Sequence, residues 1–210
     1  MTLRRAKYLF PGLLIWSLLC AGLAQAQVRI LPVTLEWQKT SEWCWAASGQ
    51  MIMNFLGPTY VPQSYEANEA FSRTDCTSCP TPDACVSPGW PQFSTWGFNS
   101  NTTSWSTALT WNQVLGQINA GKPFMFSWEW NGGGAHAMVA KGYLTFNFLG
   151  FTWDWVYVDD PWSPASRCGP GGNASGSFGG NFEIDTYAEF VGGPGFDHTH
   201  GADVYDITHR

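Results

Sequence analysis

Three separated places in this sequence carry residues that together can do acyl-transfer chemistry: Gln38, Cys44, His136 and an acid in the pair Asp159-Asp160. A thiol attacks a carbonyl efficiently only as the thiolate. A helix N-terminus stabilises that anion through unpaired N–H groups and the helix dipole, and a neighbouring imidazolium adds to the effect. Cys44 lies in Glu42-Trp43-Cys44-Trp45-Ala46-Ala47-Ser48, at the start of a helical pattern, where both effects operate. His136 follows a glycine turn and opens a strand pattern, whereas His198, His200 and His209 fall near the C-terminus. An aspartate can hold the second ring nitrogen of His136. Gln38, six residues before Cys44, offers a side-chain amide to a developing oxyanion, and the Cys44 backbone N–H is the second donor. Such donors are worth roughly 3–4 kcal/mol each in comparable enzymes. Every one of these residues also has a plain structural reading: a buried thiol as a small hydrophobe, a structural histidine, an aspartate turning the chain before Pro161, a surface glutamine.

Positioning these groups requires helices first and strands afterwards. Residues 27–37 read as a short strand or extended lead-in. Ala46, Ala47, Met51 and Phe55 recur at near-helical spacing, so a helix is expected from Glu42 to Phe55, stopped by Gly57-Pro58. A second, shorter helix is expected over Gln63 to Ser72, and a third over Thr110 to Ala120 with Gly121 as its cap. Residues 73–104 read as a loop rich in Pro, Gly, Ser, Asn and Thr. After Pro123 the character changes. Phe124 to Trp130 is strand-like, Asn131 to Gly134 a turn, Ala135 to Tyr143 a strand, and residues 146–158 are β-prone. Pro164 to Gly180 reads as a glycine-rich surface loop, Thr186 to Phe190 as a short helix, and Val204 to Thr208 as a last strand. His198-x-His200 reads as half a metal site or, in preference, as part of a solvated tail. The fold class is α+β, one domain over 27–210, with N-terminal helices on a C-terminal antiparallel sheet.

Residues 1–26 read as an export signal. Arg4, Arg5 and Lys7 are followed by the mostly apolar run Leu9 to Leu19, and Ala24-Gln25-Ala26 is an A-x-A cleavage site. The alternative is an uncleaved membrane anchor. Removal takes three of the ten basic residues and none of the sixteen acidic ones. An acidic chain short of Lys and Arg argues against nucleic-acid binding. Low charge with 16% aromatic residues argues against disorder. Export to the periplasm or medium implies an oxidising compartment. Without Cys20, five cysteines remain: Cys44, Cys76, Cys79, Cys85 and Cys168. The number is odd, so at least one thiol is unpaired or pairs between chains. Pairing the other four, in a connectivity the sequence does not fix, leaves Cys44 free. Zinc at the Cys76-x-x-Cys79 spacing is disfavoured, since no second pair of ligands is evident. No metal or cofactor is expected.

In these motifs the chain resembles the papain-like cysteine peptidases. Gln38, five intervening residues, then Cys44-Trp45-Ala46-Ala47-Ser48 match the family's Gln and Cys-Trp-Ala-x-Ser block. Gly134-Ala135-His136-Ala137-Met138-Val139 followed by Gly142-Tyr143 looks like its His strand. Val156-Tyr157-Val158-Asp159-Asp160-Pro161-Trp162 looks like the strand of the third residue. The resemblance covers roughly residues 33–190. It is nearest to the compact bacterial branch that includes bacteriocin-processing peptidases, where an Asp before Pro orients the His; that implies Asp160 rather than Asp159. Three departures stand out. Ser41 replaces the Cys found three residues before the nucleophile in plant and lysosomal members. The third residue is Asp rather than Asn. Cys44 and His136 are closer in sequence than the roughly 130–150 residues usual in papain and cathepsins.

The resemblance implies an exported cysteine peptidase acting on protein or peptide substrates. Cys44 would be the nucleophile, His136 the base and then the acid, and Asp160 the orienting group, with Gln38 donating to the oxyanion. No propeptide is apparent, and the expected state is a monomer that leaves the membrane once the signal is removed. Trp128, Trp130 and Trp162 are candidates for substrate-pocket walls. Two other readings stay open: an acyltransferase of transglutaminase-like type, and a non-catalytic secreted binding module whose aromatics stack on sugars or a partner protein.

Overall fold

A computed structural model describes residues 24–162 and 180–210. Cys20 and most of the expected signal, and Cys168 with most of the glycine-rich stretch, lie outside the described residues. The elements are β1 (Ala24–Ile30), α1 (Cys44–Leu56), α2 (Gln63–Phe71), a 3-10 turn (Asp83–Cys85), β2 (Phe98–Thr102), α3 (Trp111–Asn119), β3 (Phe124–Trp130), β4 (Ala135–Phe148), β5 (Phe151–Asp160), β6 (Asn181–Thr186), α4 (Tyr187–Val191) and β7 (His198–His209). Seven strands form one antiparallel sheet in the order β2-β7-β3-β4-β5-β6, and β1 pairs with the far half of β4. The architecture is α+β.

The helix that opens at Cys44 is apolar nearly all round, so it is buried rather than laid on a surface. Trp45 through Met53 are all buried, against β4, β3 and α2. The helix ends where Gly57 N–H donates to Met53 O and Pro58 follows. Beneath it, β4 is 14 residues long and changes partner along its length. Ala135 to Ala140 pair with β3, and Gly142 to Phe148 pair with β1. The exchange happens at a register shift between Ala140 and Gly142. Glycine is required there because a Cβ at Gly142 would lie 2.7 Å from Arg29 O, where β1 arrives. The expected processing site Ala24-Gln25-Ala26 is the first part of β1, opposite Phe148, Asn147 and Phe146. Cleavage after Ala26 would leave Gln27 to Ile30 paired.

The expected helices and the strand Phe124 to Trp130 occur within a residue or two of where periodicity puts them. The loop expected over 73–104 is instead broken by the 3-10 turn and by β2. That strand reads Phe-Asn-Ser-Asn-Thr and is exposed apart from Phe98, so it carries no apolar alternation. The solvated-tail reading of His198-x-His200 is corrected. Both rings are buried on β7, which begins at His198 rather than at Val204. His198 stacks on Trp128 at 3.9 Å and contacts Asp197 Oδ1 and Glu189 O, while His200 contacts Asp203 Oδ2 and Phe190 O. Cys76 and Cys85 form a disulfide, and Cys79 is also disulfide-bonded.

Glu66 on α2 is fully enclosed against α1, and neither carboxylate oxygen has a hydrogen-bond partner. A Cβ at Gly49 would collide with that carboxylate. Burial holds the Glu66 carboxyl well above its usual 4.5. Above pH 4.5 the folded chain therefore keeps a proton that the unfolded chain releases, and stability falls as pH rises. Each such pH unit costs about 1.4 kcal/mol, roughly 3–6 °C in Tm for a chain of this size. Glu66→Gln is expected to melt above the native protein at pH 8, with the gap closing towards pH 4.5. Parallel Tm-versus-pH curves for the two proteins would contradict this account of Glu66.

Candidate active site

Cys44 is the first residue of α1, half-buried and free of any disulfide. The first-turn N–H groups of a helix have no acceptor within the helix, and Cys44 stands in that turn. The two indoles beside it fix the helix start. Trp43 Nε1 donates to Cys85 O at 2.7 Å and Trp45 Nε1 to Ser87 O at 3.3 Å. The disulfide-clipped loop therefore grips the residues on both sides of the thiol.

His136 enters from β4, opposite Trp128 of β3. Its Nε2–H donates to Asp160 Oδ1 at 2.5 Å, and the side chain also hydrogen-bonds Cys44, which leaves Nδ1 as the nitrogen facing sulfur. Burial would lower the imidazole pKa, but the Asp160 and Cys44 hydrogen bonds and the charges on both partners override it and push His136 up to about 9. Asp160 Oδ1 also accepts from Trp162 N at 2.8 Å. The pleat separates the two aspartates. Val139 faces Asp159 across the β4–β5 pair, so Asp160 shares the face of Met138 and His136. Asp159 points the other way, 2.6 Å from Lys141 Nζ.

The third segment is tied in by Gln38, whose N–H donates to Pro161 O at 3.0 Å. This joins the approach to α1 to the end of β5. The Gln38 side chain is fully buried. Its Nε2 donates to Thr40 O at 2.9 Å and Ser41 O at 2.8 Å, and its Oε1 has no partner. Both amide hydrogens are thus committed to the loop before the thiol rather than turned towards it. The structure brings Cys44, His136 and Asp160 into one chain of hydrogen bonds, with Gln38 behind the adjoining loop.

Two cavities, of about 360 and 350 Å³, meet at Cys44 and His136. Trp128, Trp130 and Trp162 wall the first; Trp45, Trp90 and Trp105 help wall the second. Trp162 stands edge-on to His136 with ring centres 6.3 Å apart. Glu42 and Glu183 also line this site, and neither is among the candidate site residues read from the sequence. Glu42 adjoins the nucleophile motif and was within reach of inspection. Glu183 lies on β6, which follows the glycine-rich stretch and gives no strand signal strong enough to anticipate it. The ring nitrogens of His198 and His200 are all engaged by protein oxygens, and the two rings support Trp128 and Phe126 from behind.

A thiol, an imidazole and a carboxylate linked in series at a cleft can generate a nucleophile and return its proton to a leaving group. Comparison with known proteins agrees with this chemistry. No curated protein matches the chain. A family model described as "Peptidase_C39 like family" matches residues 30–169, about two thirds of the length, including every residue of the hydrogen-bonded chain. The chain belongs to the Peptidase_C39 like family of cysteine peptidases.

Proposed function

We propose that this is an exported papain-like peptidase that cleaves peptide bonds with Cys44 as nucleophile, His136 as proton carrier and Asp160 as orienting acid. The observation that carries the reading is the hydrogen-bonded series Cys44, His136, Asp160 at the junction of two cavities. Cys44 gives its proton to His136, and the thiolate adds to the peptide carbonyl. The negative charge that develops on the carbonyl oxygen is met by the Cys44 N–H. Gln38 supplies a second donor by exchanging one carbonyl partner, Thr40 O or Ser41 O, for that oxygen. The tetrahedral adduct collapses as His136 returns the proton to the leaving amine. Water, deprotonated by His136, then breaks the thioester and restores the thiol. Asp160 stays ionised and keeps the ring in one orientation. Cleavage after Ala26 and release as a monomer to the periplasm or medium complete the proposal. The Cys76–Cys85 disulfide is compatible with that compartment, and no helix among the described residues is long and apolar enough to cross a membrane.

Cys44→Ala and His136→Ala are expected to abolish casein hydrolysis while far-UV circular dichroism stays native. Asp160→Asn retains more activity than Asp160→Ala, because an amide oxygen can still accept from Nε2. Gln38→Ala lowers kcat by about two to three orders of magnitude if its amide reaches the oxyanion. Undiminished turnover in Cys44→Ala rejects the mechanism. Incorporation of an added amine in place of cleavage would turn the reading to acyl transfer.

The pH profile follows from His136. Its pKa is raised, so the imidazolium that protonates the leaving amine is present below about 9 and lost above it. The alkaline limb of kcat/KM is therefore expected near pH 9. Asp160→Asn is expected to move that limb to lower pH, because Asp160 is the largest of the raising contributions. A limb left in place by the substitution would separate Asp160 from the titration of His136.

A further inference from the structure

The two cavities beside Cys44 differ in charge. Glu42 borders both, but the first also has Asp160 and Glu183 in its wall. No lysine or arginine among the described residues lines either one. Asp160 is matched by His136. Glu183 and Glu42 have no ion-pair partner among the described residues; Glu183 Oε1 only accepts from Asn181 Nδ2 at 2.9 Å. Behind Glu183 on the same strand, Asp185 is 7% exposed with Oδ2 unpartnered. Burial first, then the charges of Glu183, Glu189 and Asp160, push its carboxyl up to about 7 against the opposing charge of His198. With Asp160 matched by His136, Glu42 and Glu183 remain in this wall as charge that no built-in cation among the described residues neutralises.

The rest of the first cavity is indole. Trp128, Trp130 and Trp162 offer ring surface, and Trp162 is 53% exposed. Carboxylates set among aromatic faces suit an ammonium or guanidinium, which gains an ion pair and a cation–π contact together. A neutral side chain entering the same space would strip water from Glu183 and return no partner. An acidic one would meet like charge.

We propose that the first cavity is a specificity site for a lysine or arginine side chain of the peptide substrate, with Glu183 as its principal counter-charge and Glu42 as its second. The proposal rests on the peptidase reading and extends it to substrate class. The cation lies beside the thiol rather than on it, so its role is selection and alignment of the scissile bond.

The test digests an equimolar peptide pool with the full chain and counts residues at each position around the cleaved bonds. One position is expected to favour Lys and Arg over Gln and Leu by at least about tenfold, as one well-made charge contact allows. Added salt should reduce that ratio. Glu183→Gln should lower the ratio by about tenfold, and Glu183→Lys should turn it towards Asp and Glu at the same position. Labelling of Cys44 by an epoxide thiol inhibitor is measured on every variant, so a folding failure is recognised; Glu42→Gln then takes over as the reporting variant. A native protein that labels and cleaves with no basic preference overturns this inference alone, as does a ratio unmoved in a labelled Glu183→Gln. A native protein that neither labels nor cleaves overturns the peptidase reading and this inference with it.

Discussion

The site depends on the register between β4 and β5. His136 and Asp160 lie on neighbouring strands, and a one-residue slip would offer His136 the carboxylate of Asp159 or none. Several features pin that register. Lys141 pairs with Asp159 on the opposite face at 2.6 Å, so slipping would break an ion pair as well as the histidine contact. Gly142 admits β1 at the point where β4 changes neighbour. Thr145 Oγ1 donates to Asp154 Oδ1 further along the same pair of strands. The Asp-Asp sequence is therefore split between two jobs by the pleat: one carboxylate holds the sheet and the other serves the imidazole.

A sheet alone leaves the imidazole without its thiol. Helix α1 delivers it, and the delivery is controlled from both ends of the approach loop. Gln38 N–H fastens the loop to Pro161 O, the residue after Asp160. The Trp43 and Trp45 indoles fasten the helix start to the carbonyls of Cys85 and Ser87. The disulfide loop thus acts on chemistry it does not touch, because it supplies acceptors that would otherwise be water. Side-chain entropy lost by two buried indoles is offset by their large burial and satisfied N–H groups.

Much of this was legible in the residues. The helices, β3 and the start of β4 follow from periodicity and punctuation, since their burial is one-sided or complete. The grouping of Cys44, His136 and an aspartate follows from residue types on a helix start, a strand after a glycine turn and a strand before a proline. What was not legible has physical reasons. β2 is a polar edge strand held by backbone pairing with β7, so its side chains carry no signal. β6 is similarly exposed on one edge. His198 and His200 look like tail residues until β7 is seen threading between β2 and β3, where both rings are covered. The orientation of the Gln38 amide depends on two backbone carbonyls in an irregular loop, and no spacing rule encodes it.

The distribution of compensated charge separates scaffold from cleft. Asp159 has Lys141, Asp203 has His200 and the Leu109 N–H, and Asp206 has Lys122 and Gln117. These acids brace the sheet, and their partners are built in. Glu183 and Asp185 lie one strand beyond Asp160, and neither forms an ion pair among the described residues; burial raises the cost of charge at Asp185, and the His198 charge offsets it only in part. Bringing like charges together in a partly dry wall is unfavourable for the fold by itself. A sheet that needed only stability would do better with Gln or Thr at these positions, as a β-edge commonly has. The place of Glu183 in the cavity beside the thiol, rather than elsewhere on a chain with few charges, is consistent with a counter-ion that arrives with the substrate.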